Sequence, residues 1–187
     1  MRRHWFPTAY AEFAARLRVP GGFVLVAAFL WLSAPAPASL MYGLPVAALG
    51  LWLRGWAAGH LEKNQRLATG GPYAHLRNPL YLGSLLAAAG LALASRSVLL
   101  AGIFAAVFPL IYLPVIEREE QYLRQLFPDY DDYAARVPWL WPLLRGAPDG
   151  GRFQWKLYRV NEEYQALAAF LAGVAVLFWK AWRYGPH

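Results

Sequence analysis

The stretch LYLGSLLAAAGLALASRSVLLAGIFAAVFPLIYLPVI, residues 80–116, decides the fold, because Arg96 is its single charge among runs of Leu, Ala, Ile, Val and Phe. A helix needs about 20 apolar residues to cross the hydrocarbon core of a bilayer. Val98 to Ile116 meets that length. Leu80 to Ala94 is short, so it must tilt or begin below the headgroups. Ser95-Arg96-Ser97 between them forms a tight helical hairpin. Outward from this pair lie three further apolar stretches, Gly22 to Leu40, Tyr42 to Ala58 and Tyr164 to Trp182. APAPAS, residues 34–39, joins the first two, and its prolines remove backbone donors and forbid one continuous helix. The pattern predicts an all-α integral membrane bundle of about five transmembrane helices. It forms one membrane domain over 1–187, with N-terminal helices at 1–59, a core at 60–142 and a C-terminal extension carrying the last span at 143–187.

Composition agrees. Of 187 residues, 58% are hydrophobic and 16% charged, too apolar a balance for an ordinary water-soluble domain. There is no cysteine, which excludes disulfides, thiolate metal sites and a cysteine nucleophile. His4, His60, His75 and His187 show no paired metal spacing, so no metal is expected. A net charge of +7 raises nucleic acid as a partner, but the nine Trp and the apolar runs between basic clusters fit anchoring at a membrane surface instead.

Charge also orients the bundle. The basic residues concentrate in the N-terminal arm (Arg2, Arg3, Arg16, Arg18), the middle loop (Arg54, Lys63, Arg66, Arg77) and the region from Arg118 to Arg159. Arg96, Lys180 and Arg183 are left for the other side. The positive-inside rule then makes the N-terminus cytoplasmic, the expected membrane is the inner or plasma membrane, and five spans put the C-terminus outside. All eleven carboxylates fall on the inner side, so the polar chemistry shares one compartment. Trp179, Trp182 and Tyr184 close the last helix as an interfacial belt. Arg2-Arg3, the run Phe23 to Leu32 and APAPA also fit a cleavable signal; the expectation is a retained helix.

Two polar constellations border the quoted stretch. GPYAHLRNPLYLG, residues 71–83, breaks one helix with Gly70-Gly71-Pro72 and starts another at Asn78-Pro79, with Asn as N-cap and Pro at the first helical position. Helix punctuation does not account for Tyr73, Arg77 and Tyr81, whose polar tips need partners at membrane depth. A helix N-terminus beside an arginine suits a carboxylate or phosphate. IEREEQYLRQLF, residues 116–127, continues out of the fourth stretch. At about 100° per residue, Ile116, Leu123 and Phe127 form a stripe flanked by Glu119 and Glu120, while Glu117, Arg118, Gln121, Arg124 and Gln125 point toward water or headgroups. The two glutamates either pair with neighbouring arginines, as Glu120 with Arg124 at i, i+4, or receive a cation or hydroxyls in a site. Together the groups would hold an anion, an ammonium or ribose hydroxyls, and a cation over aromatic rings. S-adenosylmethionine carries all of these, and other zwitterions carry several.

LATGGPYAHLRNPLYLG, followed after the hairpin by EREEQYLRQLFPDYDDYAARVPWLWP, resembles the isoprenylcysteine carboxyl methyltransferase and phospholipid methyltransferase family of integral membrane enzymes, from about His60 to Pro142. The resemblance implies S-adenosylmethionine as cofactor, bound on the cytoplasmic side by Leu67, Ala68, Tyr73, the Asn78-Pro79-Leu80-Tyr81 step and Glu119, with Arg77 and Glu120 close by. Arg77, Asn78, Glu119 and Glu120 are then the candidate catalytic residues. The implied reaction is methyl transfer to a membrane-embedded amphiphile, a lipid amine or an isoprenylcysteine-like carboxylate, with membrane lipids as partners and no nucleic acid. Two positions depart from the family. Asn78 stands for the His of its R-H-P motif and cannot accept a proton near neutral pH. Val115 stands where carboxyl-methylating members carry an arginine, which favours a lipid amine or another amphiphile. The alternatives are an NADPH-dependent membrane reductase of the sterol reductase type, against which Ser84 after Gly83 counts, and a non-enzymatic lipid-binding membrane protein.

Overall fold

The computed structural model describes residues 5–142 and 151–184. Arg2, Arg3, His4, Arg145, Asp149, the Tyr184 side chain and His187 lie outside the described residues. The described chain is helical, with no strand among its elements. In order come α1 (Thr8–Leu32), α2 (Pro37–Ala58), a 3₁₀ turn (Gly71–Ala74), α3 (Pro79–Ser95), α4 (Val98–Val107), a π turn (Phe108–Tyr112), α5 (Leu113–Leu126), α6 (Tyr130–Arg136), α7 (Trp155–Val160) and α8 (Glu163–Tyr184). Three helices are long and apolar enough to cross a membrane: Thr8–Leu32, the continuous rod Val98–Leu126, and Glu163–Arg183. The other two apolar stretches, α2 and the shorter α3, pack tightly against each other.

The first apolar stretch differs from its expected bounds. α1 begins at Thr8 and ends at Leu32, carrying Pro20 in its interior. A proline removes one donor but does not end a helix whose neighbours hold it, and Ala11 and Ala14, ahead of Pro20, are buried. The break falls at residues 33–36, and α2 opens on Pro37 at its first position. Ser39 Oγ there accepts from Ala36 N at 3.0 Å and lies 2.8 Å from Ala94 O.

Small residues explain the α2–α3 contact. Gly43 and Gly50 on α2, and Gly83 and Gly90 on α3, each recur after seven residues, close to two helical turns, and so share a face. A Cβ added at Gly90 would lie 2.2 Å from Ala47 N, and one at Gly50 would lie 2.4 Å from Ala87 N. The backbones touch because nothing larger than hydrogen stands between them. The hairpin forms as expected: Arg96 adopts the left-handed conformation (φ 54°) after α3, and Ser97 Oγ accepts from Leu100 N at 3.3 Å to cap α4.

One proline effect is compensated from a distance. Pro114 has no N–H for the carbonyl of Leu110 four residues earlier. The Tyr10 hydroxyl of α1 donates to that oxygen at 2.7 Å, tying α1 to the π turn. At one end of the bundle, Lys180 Nζ donates to Leu30 O (2.6 Å) and Ser33 O (2.9 Å), and Ala34 N donates to Ser95 O (2.8 Å). Phe29, Leu40, Ala94, Leu100 and Leu177 form the apolar cluster there. The N-terminus of α3, the C-terminus of α2 and α5 gather at the other end, where the polar chemistry lies.

Candidate functional site

The two polar constellations meet. Tyr81, on the first turns of α3, donates its hydroxyl proton to Glu119 Oε2 of α5 at 2.6 Å. Asn78, immediately before α3, donates through Nδ2 to Glu120 Oε1 (3.1 Å) and to Trp139 O (3.0 Å). Arg77 Nη1 lies 3.4 Å from Glu120 Oε2. The backbone joins in: Arg77 N donates to Pro138 O at 2.9 Å, and the Tyr133 hydroxyl donates to Tyr73 O at 2.8 Å. Residues 73–81 and 119–139 are thus bound as one unit, with the polar tips of Tyr81 and Asn78 satisfied within the protein.

Local sequence makes this possible. Gly71 takes φ +59°, and an added Cβ there would meet the His60 ring at 2.6 Å, so the turn that presents Tyr73 requires glycine. His60 itself is held between Trp56 O (2.8 Å) and Gly151 O (2.9 Å). Asn78 occupies the N-cap position of α3 but makes no side-chain cap; its amide is turned so that Nδ2 donates to Glu120 and to Trp139 O. Glu120 takes Arg77 and Asn78 in place of the alternative i, i+4 partner Arg124. Arg124 instead lies 3.3 Å from Asp131 and over the Tyr130 ring. Glu117, expected to face water, accepts from Trp5 N (2.7 Å) and Phe6 N (3.0 Å) and pins the N-terminal arm to α5.

These residues enclose a cavity of about 690 Å³, lined by Leu67, Ala68, Tyr73, Arg77, Asn78, Leu80, Tyr81 and Glu119 among the sequence candidates. Pro79 and Glu120 are not among the lining residues. Pro79 is fully buried at the start of α3, and Glu120 stands behind Arg77 and Asn78 as their brace. Polar lining residues outside the sequence candidates include Arg18, Arg54, Asn161 and Glu163. Arg54 carried a signal, a charge inside an apolar stretch. Nothing local marked Glu163 or Asn161, which reach the cavity from the far end of the chain.

The aromatic floor is electrically quiet. Burial pushes the Tyr73 phenol above its ordinary 10.0, and Glu119 adds to the effect. Burial likewise raises Tyr130 and Tyr133, with Glu120 raising and Arg77 lowering both. All three stay neutral at physiological pH and act as hydrogen-bonding walls. Arg77 Nε is buried with no partner, and Glu119 Oε2 is occupied by Tyr81 while the residue is exposed toward the cavity. Arg77 and Glu119 thus bring an unused donor and an accessible carboxylate to the lining of one cavity.

Residues 47–130 match the phospholipid methyltransferase family. That segment belongs to the family. It runs from within α2 through the turn, α3, the hairpin and α5, and so includes Arg77, Asn78, Tyr81, Glu119 and Glu120. Among curated relatives, the nickel-cobalt-cadmium resistance protein NccN of Alcaligenes xylosoxydans xylosoxydans is 38% identical over 115 residues, 61% of this chain and 53% of its own length. The cobalt-zinc-cadmium resistance protein CzcN of Cupriavidus metallidurans is 37% identical over 105 residues, 56% of this chain and 48% of its own. The chain thus spans about half the length of the curated relatives it matches. No solved structure matches.

Proposed function

We propose that the chain is an S-adenosylmethionine-dependent methyltransferase acting on a membrane-embedded amphiphile, with its site at the cytoplasmic face. The observation that carries this reading is the Tyr81–Glu119 contact: two motifs 38 positions apart close on one cavity, inside a segment of the phospholipid methyltransferase family.

The cavity fits such a cofactor by donor set and by size. Ligand sites of this kind run about 300–1,000 Å³, and the cavity holds about 690 Å³. Arg77 Nε is a buried donor in want of an acceptor, which a carboxylate would provide. Glu119, carrying no ion pair among the described residues, suits an ammonium, ribose hydroxyls or a sulfonium nearby. Bound there, the cofactor supplies a methyl group on a sulfonium, open to in-line displacement. The residues of this chain do the rest by placement. Tyr81 fixes the Glu119 carboxylate, Glu120 fixes Arg77 and Asn78, and the neutral phenols of Tyr73, Tyr130 and Tyr133 keep water out of a low-dielectric floor. Asn78 acts as a donor in both of its contacts, so no proton leaves through it. Glu119 is the carboxylate placed to receive a proton when the acceptor must lose one.

The acceptor's tail has a place as well. An apolar groove of about 260 Å³ runs between α1 and the π turn, lined by Leu17, Ile111 and their neighbours. Arg18 and Tyr112, next in sequence to those residues, line the polar cavity. An amphiphile would span that boundary from the inner leaflet.

Titration calorimetry with S-adenosylhomocysteine in detergent tests the reading. The native protein binds, Glu119→Ala and Arg77→Ala lose binding, and Arg118→Ala, at an exposed position on the same helix, binds normally. Normal binding by both site variants, or stabilisation by NADPH but not by the sulfonium cofactor, overturns it.

A further inference from the structure

Glu163 and Asn161 lie beyond the family-matched segment and line the cavity from the C-terminal part of the chain. Glu163 is 5% exposed, and both its carboxylate oxygens accept from Arg54, from Nε at 2.6 Å and from Nη2 at 2.8 Å. Arg54 Nη1 also donates to Ser84 Oγ, and the Ser84 proton goes to Leu80 O at 2.8 Å. Gly83 makes the arrangement possible, since a Cβ there would lie 2.7 Å from Arg54 Cγ. Asn161 spends both N–H groups on the last carbonyls around the end of α2, Ala58 O at 3.0 Å and Leu61 O at 2.9 Å.

A buried ion pair is a poor device for stability, because desolvation cancels much of its attraction. Its position on a cavity wall needs another reason. The unused hydrogen-bonding capacity supplies one. Ser84 and Asn161 have no donor left. A carboxylate offers about four lone-pair sites, of which Arg54 takes two, and the Asn161 amide oxygen is an acceptor as well. We propose that Glu163 and Asn161 form an acceptor subsite of the cavity for an N–H or O–H donor group of the bound ligand, with Arg54 and Ser84 holding Glu163 in place. The first arm of the test rests on the nucleotide reading given above; the second does not.

The protein is studied in nanodiscs as Asn161→Ala and as the paired variant Arg54→Gln/Glu163→Gln, which removes both charges together and leaves no unpaired buried ion. Circular dichroism and the melting transition confirm that each folds. In the first arm, S-adenosylhomocysteine is compared with S-inosylhomocysteine, which lacks the exocyclic amine, and with the desamino analogue, which lacks the ammonium. The native protein prefers the full ligand over one of the two by about tenfold, the worth of one charge-assisted hydrogen bond. The analogue that loses affinity identifies the donor group, and both variants abolish the preference. In the second arm, melting temperatures are compared in phosphatidylethanolamine, whose headgroup has N–H donors, and in phosphatidylcholine, whose headgroup has none. If no nucleotide binds the native protein, the nucleotide reading falls, and a native preference for the ethanolamine lipid that vanishes in the paired variant upholds the subsite. Folded variants that match the native protein toward every probe overturn it.

Discussion

Replacing Gly90 by alanine tests how far the α2–α3 contact governs the molecule. The added Cβ would sit 2.2 Å from Ala47 N, 2.6 Å from Gly43 O and 2.7 Å from Ala47 Cα. All three are backbone atoms, which cannot swing aside as a side-chain tip can. Ordinary contact begins near 3.4 Å, so the helices must part by 3.4 − 2.2, or 1.2 Å, along that direction. Overpacking of this kind costs about 1–3 kcal/mol. Alanine is also the better helix former by about 1 kcal/mol, so part of the loss is offset. Gly102→Ala isolates that second effect, because a Cβ there meets nothing within 4 Å. The expected order of thermal stability in detergent is Gly102→Ala at or above native and Gly90→Ala below it, with the two variants separated by the overpacking cost of about 1–3 kcal/mol, since both share the gain in helix propensity. Gly90→Ala should also weaken cofactor binding, since α2 carries Arg54 and α3 carries Tyr81 and Ser84. If Gly90→Ala melts with Gly102→Ala, the close approach is not what holds the pair.

Three further outcomes follow from the contacts. Glu120→Gln leaves Arg77 as a buried, unneutralised cation and should cost on the order of 3 kcal/mol, whereas Glu119→Gln, at an exposed position, should leave the melting temperature near native; equal losses would show that Glu120 is not the brace. Tyr10→Phe strips the Leu110 carbonyl of its donor and should cost about 1 kcal/mol, seen as faster thermal inactivation; an unchanged rate would mean that water replaces the hydroxyl at no cost. Tyr73, Tyr130 and Tyr133 are raised above 10.0 in the folded protein by burial. Below pH 10 both states keep the phenols protonated and their contribution is fully present; above it the unfolded chain loses protons that the folded one retains, so stability falls as pH rises. Tyr133→Phe should flatten that alkaline decline in a melting series from pH 8 to 11, and an unchanged slope would contradict the burial argument.

Local rules carried the parts of the fold that local chemistry decides. Ser95-Arg96-Ser97 reads as a hairpin because it is a short polar interruption between apolar runs, and Asn78-Pro79 reads as a helix start because proline is favoured at the first helical position. The start of α1 was not legible: the apolar stretch opens at Gly22, whereas the helix begins at Thr8 and runs through Pro20, and a proline's effect depends on whether packed neighbours hold the helix across it. The meeting of Tyr81 with Glu119 was legible because both are polar groups at membrane depth in need of partners, within motifs whose family resemblance places them together. Arg54 and Glu163 were not legible as a pair: 109 positions separate them, and which buried cation meets which buried acid is settled by helix packing. The capture of the Trp5 and Phe6 amides by Glu117 was hidden for the same reason, as an exposed-looking glutamate carries no mark of a backbone donor arriving from the other end of the chain.

The bonds that Arg77 and Asn78 make to Pro138 O, Trp139 O and Glu120 bear on how such proteins recombine. A crossover between two diverged relatives placed within residues 84–114 would inherit the turn from one parent and its brace from the other. Such hybrids should insert and span normally yet misalign the chamber, so productive breakpoints should fall outside 73–139.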